Sequence, residues 1–349
     1  MAAPGSRPCA AGAGRATPSF SAPPSGGVAL STPVAAEEDL AALLAAVRAG
    51  RPRAIGRAIS LVENRSAALP ALARALATDR GRAHVIGLTG APGVGKSTTT
   101  AALVSALRAD GQRVGVLAVD PSSPFSGGAL LGDRVRMQSH ALDPGVYIRS
   151  MATRGHLGGL SVAAPQALRV LDAAGFDTVL LETVGVGQSE IEVAGQADTT
   201  LVLLAPGMGD GVQAAKAGIL EIGDIFVVNK SDRDSAQALV RELRNMVALG
   251  ERPARAWKPP ITSTVAHEGR GIAELLDRIV RFRSAQQASG AWTERRLRRA
   301  RLEIEHLVVA QLHAELVLEE GAGLDGLSHA VSAGELDAYA AADQLIRTR

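Results

Sequence analysis

The eight residues from Gly90 to Ser97 combine glycines with a lysine and a hydroxyl in the spacing G-x-x-x-x-G-K-S. Glycines let backbone N–H groups turn towards a phosphate, and a helix starting here would present its positive end to the same group. Lys96 would place a charge on the β- and γ-phosphate oxygens, and Ser97 would offer a hydroxyl to Mg²⁺. The apolar run VIGLT before this segment and the helix-forming STTTAALVSALR after it complete the context of a P-loop. The predicted nucleotide contacts here are Gly90, Ala91, Pro92, Gly93, Val94, Gly95, Lys96, Ser97 and Thr98.

The base that accompanies these phosphates is indicated by the segment VVNKSD, which contains Asn229, Lys230 and Asp232. An aspartate carboxylate can accept both N–H groups on the Watson–Crick edge of guanine, whereas adenine would leave it badly paired. The sequence therefore predicts GTP and GDP as ligands. In folds of this kind a later loop contacts the guanine oxygen through a backbone amide, and STVAHEGRG makes Val265 and Ala266 the candidates.

Several acidic residues are placed where a metal-bound triphosphate would need them. Glu182 ends the run TVLLE, at the carboxyl end of a predicted strand, where ligands of open α/β sheets bind. It could hold Mg²⁺ through water, and Gly185 could offer its N–H to the γ-phosphate. Asp120 closes VGVLAVD and Asp133 lies in GGALLGDRVRM; Asp120 is the stronger candidate, because Asp133 could merely cap a helix. The predicted catalytic residues are thus Lys96, Asp120, Asp133 and Glu182, and the predicted metal ligands are Ser97, Asp120, Asp133 and Glu182.

Two other glycine-rich segments, MATRGHLGGLS and PGMGDGVQAAKAG, carry charged residues. Their composition suits loops that rearrange around a nucleotide or a partner, although ordinary surface loops look the same. The polar residues concerned are Arg154, His156, Asp210 and Lys216.

The elements that position these residues can be read from the apolar runs. Short runs rich in valine, isoleucine and leucine indicate strands buried on both faces, hence an α/β fold with a mostly parallel sheet covered by helices. The predicted strands are VIGLT (85–89), VGVLAVD (114–120), VYI (146–148), TVLLET (178–183), TLVLLA (200–205), IFVVN (225–229) and PIT (260–262).

The chain divides into four predicted parts. Residues 1–36 are rich in Pro, Gly, Ala and Ser and contain no acid, which favours a disordered tail over the alternative, an organelle transit peptide. Residues 37–80 form a helical segment, 81–283 the nucleotide-binding domain and 284–349 a helical arm. The arm begins with a basic run that we interpret as a solvated or dimer-facing helix, formed by Arg295, Arg296, Arg298, Arg299 and Arg301.

Composition excludes several classes of function. The single cysteine, Cys9, allows no intramolecular disulfide and no cysteine-rich zinc site, which fits the cytoplasm. The formal charge of +2 indicates no nucleic-acid partner. No apolar run reaches the roughly 18 residues that a membrane span needs, so a membrane role is not expected.

Taken together and in order, the motifs resemble those of the methylmalonyl-CoA mutase-associated GTPases. This MeaB/MMAA family, formerly labelled ArgK, contains G-protein chaperones of adenosylcobalamin-dependent acyl-CoA mutases. The resemblance covers about residues 37–349 and rests on the P-loop, VDPSSPFSGGALLGDRVRM, RSMATRGHLGGLS, ETVGVGQSE, VNKSD and the final AGELDAYAAADQL. Residues 1–36 have no counterpart in it, and Val265 stands where many GTPases carry serine.

This resemblance implies a homodimer with a GTPase domain of the signal-recognition/metallochaperone class, an N-terminal helical segment and a C-terminal dimerisation arm. It implies that Asp120, Asp133 and Glu182 lie near Mg²⁺ and the phosphates. Lys216 matches a lysine in the third switch loop, which is thought to pass the nucleotide state to the mutase. The implied function is gating of adenosylcobalamin loading, with protection or reactivation of a B12-dependent acyl-CoA mutase, first of all methylmalonyl-CoA mutase.

Hydrolysis by the isolated chain is expected to be slow. Many GTPases carry a water-orienting glutamine directly after the glycine of the third motif, whereas here Val186 follows Gly185 and Gln188 lies two residues further on.

Three other functions remain open at the level of sequence. A nickel-type metallochaperone GTPase would normally show a His- or Cys-rich tract, whereas this chain has seven scattered His and one Cys. A transport-linked kinase or ATPase for basic amino acids is disfavoured by the guanine motif. A structural dimer with a vestigial nucleotide site is opposed by the intact Lys96, Ser97 and Asp232.

Overall fold

The computed structural model describes residues 33–79, 81–120, 140, 142–152, 159–183, 195–207, 220–249, 257–318 and 323–347. Three helices come first and lie largely within the predicted helical segment: α1 (Pro33–Arg48), α2 (Pro52–Glu63) and α3 (Leu69–Ala75). Prolines at the first positions of α1 and α2 suit helix starts, because the missing N–H would have no partner inside the helix.

Strands and helices then alternate. The elements are β1 (His84–Thr89), α4 (Lys96–Ala109), β2 (Val114–Asp120), β3 (Val146–Ala152), α5 (Gly159–Ala173), β4 (Thr178–Thr183), β5 (Thr199–Leu204), the single turn α6 (Leu220–Ile222), β6 (Ile225–Val228), α7 (Ala236–Leu249), β7 (Ile261–Ser263), a 3₁₀ turn (Ala266–Glu268) and α8 (Ile272–Ser289). The chain continues with α9 (Ala291–Leu318), α10 (Gly323–Ser332) and α11 (Ala338–Arg347).

The seven strands form one sheet in the order β3-β2-β4-β1-β5-β6-β7, and all their pairings are parallel. Strands β1, β4, β5 and β6 are buried along their whole length. This is the arrangement expected of continuous apolar runs, which must be covered on both faces. The predicted α/β fold with a mostly parallel sheet is confirmed, and each of the seven predicted strands is present.

Helices cover both faces of the sheet. On one face α4 and α8 pack their apolar residues, among them Leu103 and Phe282, against alternate residues of the central strands. On the other face α2 and α5 cover the strands near β4, and α7 covers β5 and β6 through residues such as Leu243. Because all the strands are parallel, their carboxyl ends lie at the same end of the sheet, which is where ligands of such sheets bind.

Three arginines of helix α9 bind to the opposite end of the sheet, where the strands begin. Arg295 donates to both carboxylate oxygens of Asp224 at 2.7 and 2.8 Å, and Arg296 to those of Asp198 at 3.0 and 3.1 Å. Arg299 adds a longer contact of 3.3 Å to Asp198. The two aspartates immediately precede β6 and β5, so α9 holds the amino ends of both strands.

These ion pairs correct one part of the interpretation of the basic run, the solvated face, for Arg295, Arg296 and Arg299, whereas Arg298 and Arg301 are exposed. The side chain of Asp198 is only 1% exposed, and those of Arg296 and Arg299 are 25% and 20% exposed, so these arginines do not form a solvated face. Burial alone would raise the pKa of the Asp198 carboxyl, but Arg299 and Arg296 outweigh this effect and hold the pKa below its ordinary value. A buried carboxylate needs such partners, and the local charge pattern of α9 could not reveal them.

Residues 40–349 form one compact unit, so the boundaries expected near residues 80 and 283 stay predictions. Within the described residues, no helix has the length and apolar character that crossing a membrane requires.

Candidate nucleotide-binding site

The P-loop connects the end of β1 to the start of α4, and two of its glycines have conformations that only glycine tolerates. Gly90 has φ of +141°, and a Cβ atom there would lie 2.2 Å from the carbonyl oxygen of Leu203. Gly95, directly before α4, has φ of +98°, and a Cβ atom there would lie 2.3 Å from Nδ2 of Asn229. The glycines thus let the loop approach Leu203 and Asn229 closely.

Lys96 begins α4 and is almost fully buried. Its Nζ donates to the carbonyl oxygen of Gly90 at 2.6 Å and to that of Ala91 at 3.1 Å. The loop therefore folds around the ammonium group, while Pro92, Gly93 and Thr98 are exposed. The helix N-terminus and the lysine charge together form the electropositive environment that a polyphosphate needs.

The predicted guanine-recognition motif, residues 229–232, packs directly on the P-loop through Asn229. Its Nδ2 donates to the carbonyl oxygen of Val94 at 2.9 Å. Its Oδ1 accepts from the Thr264 hydroxyl at 3.2 Å and from the backbone N–H of Ala266 at 3.1 Å. One buried amide side chain thus links the predicted phosphate loop, β6 and the loop after β7.

Lys230 adds a second link to the P-loop. Its Nζ donates to the carbonyl oxygen of Gly93 at 2.7 Å. Lys230 has φ of +55°, one of two positive values among the described non-glycine residues. This left-handed conformation is costly for lysine and turns the chain sharply after β6. Asp232, two residues further on, is exposed, and its contact with a base stays a prediction.

Val265 and Ala266 lie in the loop after β7, and both are buried. The N–H of Val265 donates to the carbonyl oxygen of Arg270 at 3.0 Å, and that of Ala266 donates to Asn229, as described above. The first bond closes the loop on itself, and the second holds it against the recognition motif. Direct contact between its amides and guanine stays a prediction.

Glu182, the acid near the end of β4, lies under the first turn of α4 and is 2% exposed. Its Oε1 accepts from the Ser97 hydroxyl at 2.6 Å, and its Oε2 accepts from the Thr100 hydroxyl at 2.8 Å. A hydroxyl and a carboxylate are the oxygen ligands that Mg²⁺ prefers, and Mg²⁺ in nucleotide sites is otherwise bound by phosphates and water. The pair therefore fits the predicted metal.

Thr100 was not among the residues that the sequence singled out. The P-loop pattern ends at Ser97, so the pattern gave no reason to consider a threonine one turn later. The available signal was spacing, because residues three and four apart lie on one face of a helix, and Thr100 is three residues from Ser97 and four from Lys96.

The remaining predicted residues are placed only in part. Asp120 is the last residue of β2, and the register pairs Ala118, two residues earlier, with Glu182, so the backbone of Asp120 lies at the same edge of the sheet. The other predicted residues lie outside the described part of the chain, and their roles stay predictions: Asp133, Gly185, Arg154, His156, Asp210 and Lys216.

Comparison with known proteins identifies relatives along most of the chain. Residues 55–321 match the model of the family described as methylmalonyl Co-A mutase-associated GTPase MeaB. A protein of Pyrococcus abyssi that is named as a GTPase is 44% identical over 308 residues, which cover 87% of this chain and 95% of that protein. The GTPase ArgK of Escherichia coli is 39% identical over 73% of this chain and 79% of its own length.

Two further similarities concern a mammalian relative and a solved structure. The mitochondrial methylmalonic aciduria type A homolog of Mus musculus is 38% identical over 71% of this chain and 64% of its own. The crystal structure of a LAO/AO transport system kinase aligns with a TM-score of 0.68 at 29% identity, over 89% of this chain and 98% of that one.

Proposed function

Because the chain belongs to the methylmalonyl-CoA mutase-associated GTPase family, as its motifs indicated, we propose that it acts on a B12-dependent acyl-CoA mutase. In this role the GTPase gates the loading of adenosylcobalamin and protects or reactivates the mutase, with methylmalonyl-CoA mutase as the first candidate partner. The family name supports the partner, and the names of the relatives support the GTPase activity. We place this function in the cytoplasm.

The observation that supports nucleotide-dependent gating is the contact between the recognition motif and the P-loop. Asn229 bonds to Val94 through a buried hydrogen bond, and Lys230 bonds to Gly93 through an exposed one, so two hydrogen bonds join the predicted base and phosphate sites. A guanine nucleotide would meet Asp232 at one end and Lys96 at the other. Binding of one nucleotide would thus affect the residues at the carboxyl ends of β1, β4 and β6 together.

We propose that the chain accelerates hydrolysis of GTP to GDP and phosphate mainly by positioning the nucleotide and by stabilising its negative charge. Lys96 and the amino end of α4 stabilise the negative charge that develops on the phosphates. Ser97 and Glu182 would hold Mg²⁺, with Asp120 as a further candidate ligand, and the bound metal would supply positive charge to the phosphates. We propose slow intrinsic turnover that the mutase accelerates, since Gln188 is displaced from the usual position of the water-orienting glutamine.

We also propose a homodimer formed through α9. This helix exposes an apolar row although its arginines are bound to the strand ends: Leu297 is 71% exposed and Ile304 is 62% exposed, and the neighbouring exposed residues are Val308, Val309 and Leu312. Rows of this kind on a helix call for a covering surface. The arm of a second copy is the partner implied by the family.

The function is tested with the cognate mutase and the variant Lys216→Ala, with Lys258→Ala as a control at an exposed lysine outside the glycine-rich segments MATRGHLGGLS and PGMGDGVQAAKAG. Wild type should hydrolyse GTP faster when the mutase is added and should bind the mutase with different affinity in GDP and in a non-hydrolysable GTP analogue. Lys216→Ala should keep GDP binding and basal turnover and lose the acceleration, whereas Lys258→Ala should keep both. Reciprocity requires that a mutase which prefers the GTP form also tightens GTP binding.

Two outcomes would contradict the proposal. Mutase affinity that does not depend on the nucleotide, together with turnover that the mutase leaves unchanged, would remove the gating role. Equal hydrolysis of ATP and GTP would favour the alternative of a transport-linked kinase or ATPase.

A further inference from the structure

Thr100 lies in the first turn of α4, fully buried, with its hydroxyl 2.8 Å from Oε2 of Glu182 and 3.0 Å from the carbonyl oxygen of Lys96. We propose that Thr100 is a positioning residue for the magnesium site, because it fixes the orientation of the Glu182 carboxylate. The inference rests on the proposed role of Glu182 towards Mg²⁺ and adds a residue that the P-loop pattern does not contain.

The two oxygens of Glu182 have different neighbours on the same helix. Oε1 accepts from Ser97, the predicted metal ligand, at 2.6 Å, and Oε2 accepts from Thr100 at 2.8 Å. Rotation of the carboxylate about its last bond would move both oxygens together. A donor on Oε2 therefore determines where Oε1 lies relative to Ser97, and with it the geometry offered to the metal.

The hydroxyl of Thr100 has one hydrogen and two acceptors within reach. The carbonyl oxygen of Lys96 is a neutral backbone acceptor within helix α4, whereas Oε2 of Glu182 belongs to a carboxylate that is only 2% exposed. Hydrogen bonds to an ionised carboxylate are stronger than those to a neutral carbonyl, so the hydrogen of Thr100 is assigned to Glu182. Water has little access to this oxygen and cannot readily replace the hydroxyl.

The preceding residue provides an internal comparison. Thr99 is also fully buried in the first turn of α4, and its hydroxyl donates to the carbonyl oxygen of Gly95 at 2.9 Å, four residues earlier. Both threonines thus reach a backbone carbonyl one turn back, but the bond to Glu182 belongs to Thr100. Thr99→Val thus removes a buried hydroxyl from the same turn without removing a donor to Glu182, so an effect on the metal should be confined to Thr100.

The test compares Thr100→Val, Thr100→Ser and Thr99→Val in the full chain. Metal binding is measured on the GDP complex by titration with Mn²⁺, with the EPR signal of free Mn²⁺ as the readout. Loss of a partner of a metal ligand costs roughly 10- to 100-fold in metal affinity, so Thr100→Val should need that much more Mn²⁺ for half-saturation. Thr100→Ser keeps the hydroxyl and should restore affinity to within a few-fold of wild type, and Thr99→Val should match wild type.

Turnover gives the second readout. The Mg²⁺ concentration for half-maximal GTP hydrolysis should rise for Thr100→Val in the same proportion as the Mn²⁺ constant, while the affinity for GDP without metal stays that of wild type. Thermal unfolding checks that the variants are folded, and Thr100→Ala replaces Thr100→Val in the comparison if the valine variant does not fold.

Equal Mn²⁺ affinity in Thr100→Val and Thr99→Val would overturn the inference, and so would a serine variant as weak as the valine variant. Failure of the underlying magnesium site would look different. In that case Glu182→Gln would hydrolyse GTP at the wild-type rate and would bind Mn²⁺ as tightly as wild type.

Discussion

The side chain of Asn229 donates a hydrogen bond of 2.9 Å to the carbonyl oxygen of Val94, across a sequence separation of 135 residues. The bond is buried, and Gly95 beside it has no room for a Cβ atom, which would lie 2.3 Å from Nδ2 of Asn229. The spacing between the predicted base and phosphate sites is therefore set by direct contact. A ligand that fills both must match this distance, which suits a nucleotide better than two separate small ligands.

Asp232→Asn should change the preferred base. The carboxylate is expected to accept two N–H groups of guanine, and an asparagine amide can instead donate to the additional carbonyl of xanthine. Calorimetry should show a loss of GDP affinity of roughly 100- to 10,000-fold, the equivalent of two hydrogen bonds to a charged group, and a gain for xanthosine diphosphate. Asp234→Asn, in the same exposed turn, is the matched control and should bind GDP like wild type. Unchanged selectivity in Asp232→Asn would contradict the assignment.

Lys96→Ala should preserve the fold and remove most of the turnover. The ammonium group is bound to the carbonyl oxygens of Gly90 and Ala91 at the centre of the loop, and its charge is expected to act on the β- and γ-phosphates. Loss of one such charge from a preorganised site lowers kcat by roughly 100- to 1,000-fold. Hydrolysis assays with Lys258→Ala as an exposed control would check this, and near-wild-type turnover in Lys96→Ala would oppose the P-loop mechanism.

The parts of the molecule that could be predicted from sequence are those governed by local patterns. Strands buried on both faces are continuous apolar runs, and the P-loop is a fixed spacing of glycines followed by lysine and serine. Strand β3 was predicted only for residues 146–148, yet it continues to Ala152. Its polar Arg149 is tolerated because β3 is an edge strand, and the guanidinium bonds to Ser60 and Glu63 on α2.

Contacts between distant segments could not be read in this way. The basic run of α9 suggested a solvated or dimer-facing helix, because the sequence does not show that Arg296 meets Asp198 across 98 residues or that Arg295 meets Asp224 across 71. Likewise, Thr100 gains its importance only when β4 places Glu182 under the helix. Such residues depend on the register of elements far apart in the chain, which local pattern does not encode.

The arm should be tested by substitution instead of deletion. Truncation before Ser284 would remove Arg295, Arg296 and Arg299 and so break their ion pairs with Asp198 and Asp224. Loss of one partner of a buried ion pair destabilises proteins by about 3–5 kcal/mol. The double variant with Leu297→Glu and Ile304→Glu changes exposed residues and should sediment as a folded monomer that still binds GDP. Leu142→Glu, at a 95% exposed leucine outside the arm, should sediment like wild type. A wild-type monomer at micromolar concentration would contradict the proposed dimer.

His84 should make the stability of the fold sensitive to acid. It is 4% exposed at the start of β1, with Nε2 2.8 Å from the Thr199 hydroxyl and its ring 5.5 Å from that of Trp292. Burial lowers the pKa of His84 to about 4; Asp198 opposes this shift, and the positive charges of Arg283 and Arg296 add to it.

The direction of the effect follows from which state binds the proton. Between pH 6.5 and about 4, His84 is protonated in the unfolded chain but not in the folded chain. The free energy of unfolding is therefore unaffected by His84 above pH 6.5 and falls as the pH is lowered through this window. From pH 7 to pH 5 the loss from this one group is about 2 kcal/mol in the free energy of unfolding. Denaturant unfolding of His84→Gln should therefore show a shallower dependence on pH than wild type, whereas His329→Gln, at an exposed histidine of α10, should follow the wild-type curve. Parallel curves for wild type and His84→Gln would show that His84 is not the group that binds the proton. The neighbouring Asp198 does not account for the effect, because its lowered pKa places its titration below this window.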